Sequence, residues 1–87
     1  MIKLISIRPL GEHSLDLAFS DGSSGPWSAT ELIDRATVLT IPLSDPGFLR
    51  RAFIEAGALA WPNGLELSPA NLHRKLGEAG KLRRVAA

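Results

Sequence analysis

The sequence predicts an α+β domain: a small antiparallel β-sheet built from hairpins, packed with two or three short helices. Three observations carry that prediction. Ser14 to Ser20 alternates apolar and polar residues with the period of a half-buried strand. Asp21-Gly22 and Asn63-Gly64 each sit between strand-like runs, where Xaa-Gly pairs close hairpins. Asp45-Pro46 and Ser68-Pro69 each place a capping side chain before a proline, the signature of a helix start.

The elements follow in order. Ile2 to Arg8 is short and rich in β-branched residues, so it reads as a strand. Its alternation breaks at the adjacent Leu4 and Ile5, which requires either cover on both faces or a bulge. Pro9 ends it, and residues 10–13 form a loop. In the next strand Leu15, Leu17 and Phe19 face one way, and Ser14, Asp16 and Ser20 the other. Asp21-Gly22 predicts a two-residue turn with positive φ at both positions. Ser23 to Trp27 then pairs back, with Pro26 marking a sheet edge because proline cannot donate to a ladder.

Ser28-Ala29-Thr30-Glu31 has capping-box spacing, so a short helix is expected through about Asp34, with Thr30 as a rival cap. Residues 36–43 favour extended backbone by their β-branched content. Asp45 and Pro46 start a turn or two of helix that buries Phe48, Leu49 and Ala52 and leaves Arg50 and Arg51 outside. Phe53 to Glu55 returns to strand, Ala56-Gly57 turns, and Ala58 to Trp61 continues the sheet. Asn63-Gly64 closes a hairpin onto Leu65-Glu66-Leu67. Ser68-Pro69 starts the last helix, with Leu72 and Leu76 on one face at i, i+4 and Gly77 as terminator. The two halves echo each other weakly, and no repeat period appears.

At 87 residues the chain holds one core. Its 45% hydrophobic content is that of a globular protein. Residues 1–77 are read as the single domain. Residues 78–87 are a basic segment with little to bury and are expected to be flexible. Without cysteine, disulfide and thiol chemistry are excluded. The N-terminus lacks the pattern of a signal peptide, and no apolar run approaches the roughly 20 residues of a membrane span, so the expected location is the cytoplasm. Residues 1–72 carry a net charge of −3 and residues 73–87 a net of +4, giving an acidic body with a basic end.

Phe19-Ser20-Asp21-Gly22-Ser23, Leu43-Ser44-Asp45-Pro46-Gly47-Phe48, Leu59-Ala60-Trp61-Pro62-Asn63-Gly64 and Leu67-Ser68-Pro69 resemble, in order and spacing, the family catalogued as domain of unknown function 2442. The resemblance spans roughly residues 3–76. It departs at Glu55-Ala56-Gly57, a hairpin shorter than the acidic turn usual in that family, which leaves the register there open. The resemblance implies a small bacterial α+β protein with no established activity. Some relatives are fused to a helix-turn-helix domain, and this chain has no such segment. Many are encoded beside a second small protein in a toxin–antitoxin-like arrangement.

Catalytic patterns are sparse. His13 and His73 are the two histidines, and neither lies in a metal-binding spacing. The carboxylates have strand, turn and cap duties, and the chain holds no nucleophile elbow or phosphate loop. The expectation is therefore a non-enzymatic protein without metal, cofactor or small-molecule ligand. Candidate partner-binding residues are Trp61 and Asn63, at a rigid corner, and Trp27. Each tryptophan also suits a core, where it hides roughly 200 Å2. Arg74, Lys75, Lys81, Arg83 and Arg84 are candidate nucleic-acid contacts, although no aromatic is interleaved among them for base stacking.

Two functions follow as expectations. The first is a protein-interaction module, acting as the antitoxin-like partner of a small toxin-like protein encoded nearby, or through self-association. The alternative is a nucleic-acid-binding regulator that uses the basic C-terminal segment.

Overall fold

A computed structural model describes residues 1–84 of the chain. Two antiparallel sheets share one core. The first has four strands in the order β1-β2-β3-β7: β1 (Leu4–Pro9), β2 (Ser14–Phe19), β3 (Ser23–Ser28) and β7 (Arg83–Arg84). The second has the order β4-β5-β6: β4 (Phe53–Glu55), β5 (Ala58–Ala60) and β6 (Glu66–Leu67). Helices α1 (Thr30–Arg35), α2 (Pro46–Leu49) and α3 (Pro69–Glu78) complete the fold, with one 3-10 turn at Ile41–Ser44. The α+β prediction holds.

The alternation of β2 sets the core. Leu15, Leu17 and Phe19 are fully buried, together with Leu43, Leu49, Leu59 and Trp61. Leu72 and Leu76, one turn apart on α3, join the same cluster. The break in β1 is a bulge, since its register against β2 shifts between Leu4 and Ser6. At that end Gly57 O accepts from Leu4 N (2.8 Å), which ties the two sheets together. The register around Glu55 is resolved too: Glu55 faces Ala58, with Ala56 and Gly57 both at positive φ in a two-residue turn.

The Asp21-Gly22 and Asn63-Gly64 hairpins use three-residue loops, where a two-residue turn is expected at Asp21-Gly22. Gly22 and Gly64 have positive φ, while Asp21 and Asn63 do not. Each loop is pinned by the side chain before its glycine. Asp21 Oδ1 accepts from Ser23 N (2.9 Å), and Asn63 Oδ1 accepts from Leu65 N (3.1 Å). A type I turn followed by one left-handed glycine needs a single strained residue, and an Asx side chain stabilises it.

The helix starts at Asp45 and Ser68 are as expected: Asp45 Oδ1 accepts from Gly47 N (3.0 Å) and Ser68 Oγ from Asn71 N (3.3 Å). The capping box at Ser28 is not formed. The N-cap of α1 is Ala29, whose amide donates to His13 O (2.8 Å) and whose methyl lies in the core. Ser28 Oγ instead accepts from Thr30 N, and Glu31 pairs with Arg35. Residues 36–43 are not extended either. Thr37 and Thr40 exchange side-chain and backbone hydrogen bonds that fold the segment into a turn before the 3-10 helix.

Part of the basic C-terminal segment pairs with the first sheet. α3 runs through Glu78, a turn at residues 79–80 reverses the chain, and Arg83 and Arg84 pair with Ser24 and Ser23 as a strand. Leu82 packs against the core cluster. Residues 82–84 are therefore held against the core and the sheet by the Leu82 side chain and by the ion pairs of Arg83 with Asp16 and of Arg84 with Asp21. Residues 85–87 of that segment lie outside the described residues.

Candidate functional site

The sheet and helices enclose an open groove of about 530 Å3 between α1, α3 and the end of β3. Its apolar lining comes from Trp27, Leu32, Leu72 and Leu76. Trp27 is half-buried, with its ring tilted against that of Trp61 at a centroid distance of 5.9 Å. The charged rim is mixed. Glu31 and Asp34 stand on the α1 side, and Lys75 and Lys81 on the side of α3 and the following segment. Glu31 is shared by Arg35 (3.3 Å) and Lys75 (3.9 Å) across the groove. Arg35 also lines the α1 wall, and among the described residues Asp34 and Lys81 form no ion pair, which leaves an unpaired acid on one wall and an unpaired base on the other.

The other predicted residues are placed elsewhere. Trp61 is 1% exposed, and its indole N–H donates to Leu49 O (3.1 Å). It is a core residue and reaches no surface. Asn63 is engaged on both ends of its amide, since its Nδ2 donates to Leu39 O (3.1 Å) while its Oδ1 holds the turn. Trp27 alone of these three lines the groove.

The basic side chains are mostly paired. Arg74 lies on Glu78 (3.1 Å) and Lys75 on Glu31. Arg83 Nη2 contacts both oxygens of Asp16 (2.9 and 2.7 Å), and Arg8 approaches the same carboxylate from β1 (3.1 Å). Asp16 points to the outer face of the sheet as its position in β2 requires, yet it is 8% exposed because the two arginines cover it. Arg84 donates to Asp21 O (2.8 Å).

A second cluster gathers at the β2–β3 turn. Ser23 Oγ donates to Asp21 Oδ1 (2.6 Å), and His73 Nε2 donates to Asp21 Oδ2 (2.9 Å). Phe19 meets the His73 ring edge-on at 5.1 Å. This has the residue types of a hydrolytic triad but the wrong order. The carboxylate lies between the hydroxyl and the imidazole, so the imidazole that takes the serine proton in such a triad does not face it. The two bonds from Ser23, with the smaller contribution of His73, hold the Asp21 carboxyl well below the usual carboxylate range. It is thus a structural anion that binds α3 and β7 to the hairpin.

That depression has a consequence for stability. A carboxyl with a lowered folded-state pKa takes up a proton first in the unfolded chain, near pH 3.9. Its stabilisation is complete above that pH and is lost as pH falls toward the folded value. Acid titration of the unfolding midpoint should therefore show a loss below about pH 4 that Asp21→Asn reduces. Equal acid sensitivity in both proteins would contradict this.

Neither the groove nor the carboxylate clamps were foreseen from the sequence. The available signals were Leu32 and the Leu72–Leu76 pair, which face each other only once α1 and α3 pack, and Leu82, an apolar residue among charges. Among the described residues, no group of three or more His, Asp or Glu side chains has the arrangement of a metal site, and no helix is long and apolar enough to cross a membrane.

The order of these elements matches a family model described as Protein of unknown function (DUF2442), over residues 4–77. The chain belongs to that family. The match runs from the first residue of β1 to the next-to-last residue of α3, so the DUF2442 unit includes the Asp21-Gly22 and Asn63-Gly64 turns and both walls of the groove except Ala79 and Lys81. No curated protein and no solved structure matches the chain.

Proposed function

We propose that this DUF2442 chain is a non-enzymatic protein-interaction module in which the α1–α3 groove receives a segment of a partner protein. The observation that carries the reading is the groove itself, with half-buried Trp27 in its apolar trough between an acid on one wall and a base on the other. Tryptophan in a partly open pocket is the typical anchor of an interface. A trough between two helices suits the apolar face of a short amphipathic helix. Asp34 and Lys81 select the polarity of that helix, which carries a base toward α1 and an acid toward Lys81.

The partner is proposed to be the small toxin-like protein encoded beside such chains, with this chain as its antitoxin-like restraint in the bacterial cytoplasm. The order of the Ser23–Asp21–His73 cluster supports a non-enzymatic role, since the histidine is not aligned with the serine hydroxyl and the Asp21 carboxylate is engaged from both sides. A nucleic-acid role draws less support, because Arg74, Lys75, Arg83 and Arg84 each meet a carboxylate of the chain itself.

Co-expression of the chain with its neighbour-encoded protein tests the reading. A complex should be recovered with the native chain and lost, by at least about tenfold in affinity, with Trp27→Ser, whose far-ultraviolet circular dichroism should stay native. Co-purification unaffected by Trp27→Ser would remove the groove from the reading. Binding that instead weakens steeply with salt on duplex DNA would favour the nucleic-acid role.

A further inference from the structure

We infer that residues Lys81–Arg84 are an exchangeable strap, and that two copies of this chain trade their straps to form a dimer. β3 would otherwise be an open sheet edge, and β7 covers it at only two residue pairs, Ser23–Arg84 and Ser24–Arg83. The receiving surface is specific in shape and charge. A side chain at position 25 would put its Cβ 2.7 Å from Lys81 O, so the glycine is what lets the strap backbone lie down. Asp16 then receives Arg83 and the Asp21 carbonyl receives Arg84. A second copy of the strap meets the same surface with the same two arginines.

The hinge is short. α3 ends at Glu78, and Ala79 and Gly80 alone reverse the chain before Lys81. The reversal is held by Gly80 N donating to Gly77 O (3.1 Å) and Lys81 N donating to Leu76 O (2.9 Å), with Gly80 at φ +70°. When this turn straightens, the strap moves away from its own sheet as a unit. Seated on a neighbour, it remakes the strand pairs, both arginine contacts and the Leu82 packing, and only the turn is given up. Exchange of identical elements is the low-cost route to a dimer for this reason. Because Lys81 lines the groove, each groove of the exchanged pair takes that lysine from the other copy. Strap exchange requires nothing of what the groove binds.

Sedimentation of the full chain tests the inference through the hinge. At millimolar concentration the native chain should show a monomer–dimer equilibrium. Gly80→Val, which strains the closed turn at its positive φ, should raise the dimerisation constant roughly tenfold. Inserting Gly-Ser-Gly after Gly80 relaxes the closed form and should return the chain to monomer. A native chain that stays monomeric at millimolar concentration, or a dimer indifferent to the insertion, would overturn the proposal. A mixture of isotope-labelled and unlabelled native copies gives a readout that needs no variant. Intermolecular nuclear Overhauser effects between the Ser24 and Arg83 backbones are expected in the dimer, and a dimer without them is joined by another surface.

Discussion

Trp61→Ala is expected to destabilise the domain by about 3–5 kcal/mol, the usual cost of emptying a large buried aromatic site. The side chain is 1% exposed and fills the space between Leu49 and Trp27. Its removal leaves a cavity and also strips Leu49 O of its indole donor. Domains of this size have only about 5–15 kcal/mol in hand, with small chains at the low end. A drop in melting temperature of at least about 15 °C should follow, or a chain that is unfolded as purified. Trp61→Phe keeps most of the ring but not the donor, and should lie between the two. Trp27→Ala, at a half-buried groove position, should cost much less. If thermal denaturation ranked Trp27→Ala above Trp61→Ala, the assignment of core and groove would be reversed.

The second large effect is expected at Gly25. A methyl group there meets the Lys81 carbonyl oxygen at 2.7 Å, and that oxygen belongs to backbone, so the strap itself must shift. Overpacking of this kind costs about 1–3 kcal/mol. The loss should be local. Amide hydrogen exchange in Gly25→Ala should accelerate at residues 81–84 and leave β1 and β5 near native protection. The same variant bars a neighbour's strap as well as its own, so it should also abolish the dimer. Unchanged protection at Lys81–Arg84 would show that the chain absorbs the methyl without unseating the strap.

The parts of the fold that were legible in the sequence are those fixed within a few residues. Asp45 and Ser68 cap their helices because the donors they satisfy lie two and three positions on. The alternation of β2 needs only its own period. The misreadings share a cause, which is a distant contact overriding a local preference. Ser28 loses the cap of α1 because Ala29 is held by His13 and buried in the core. The basic segment has little to bury by its own sequence, yet its anchors are Asp16 and Asp21, more than sixty positions away in the chain. Asp16 looked like a solvated strand residue for the same reason.

The site divides in the same way. Both tryptophans suit a core, with Trp61 the stronger candidate for a partner because of its rigid corner, and sequence spacing carries no information on which one the helices cover. The corner at Trp61-Pro62-Asn63-Gly64 drew attention because it is rigid. Its rigidity serves the fold, since Asn63 spends its amide on Leu39 and Leu65. The groove arises from two helices more than thirty residues apart and from the return of the chain at Lys81. No local pattern encodes such a space, although Leu32, Leu72 and Leu76 fall within the helices that the sequence predicts.

Titration of the isotope-labelled chain with the proposed partner protein would test the proposed docking surface most directly. The indole N–H of Trp27 and the methyls of Leu32, Leu72 and Leu76 should shift together and saturate, while the outer face around Arg8 and Asp16 stays still. Saturable shifts confined to that outer face, or none in the groove at a concentration where a complex forms, would contradict it.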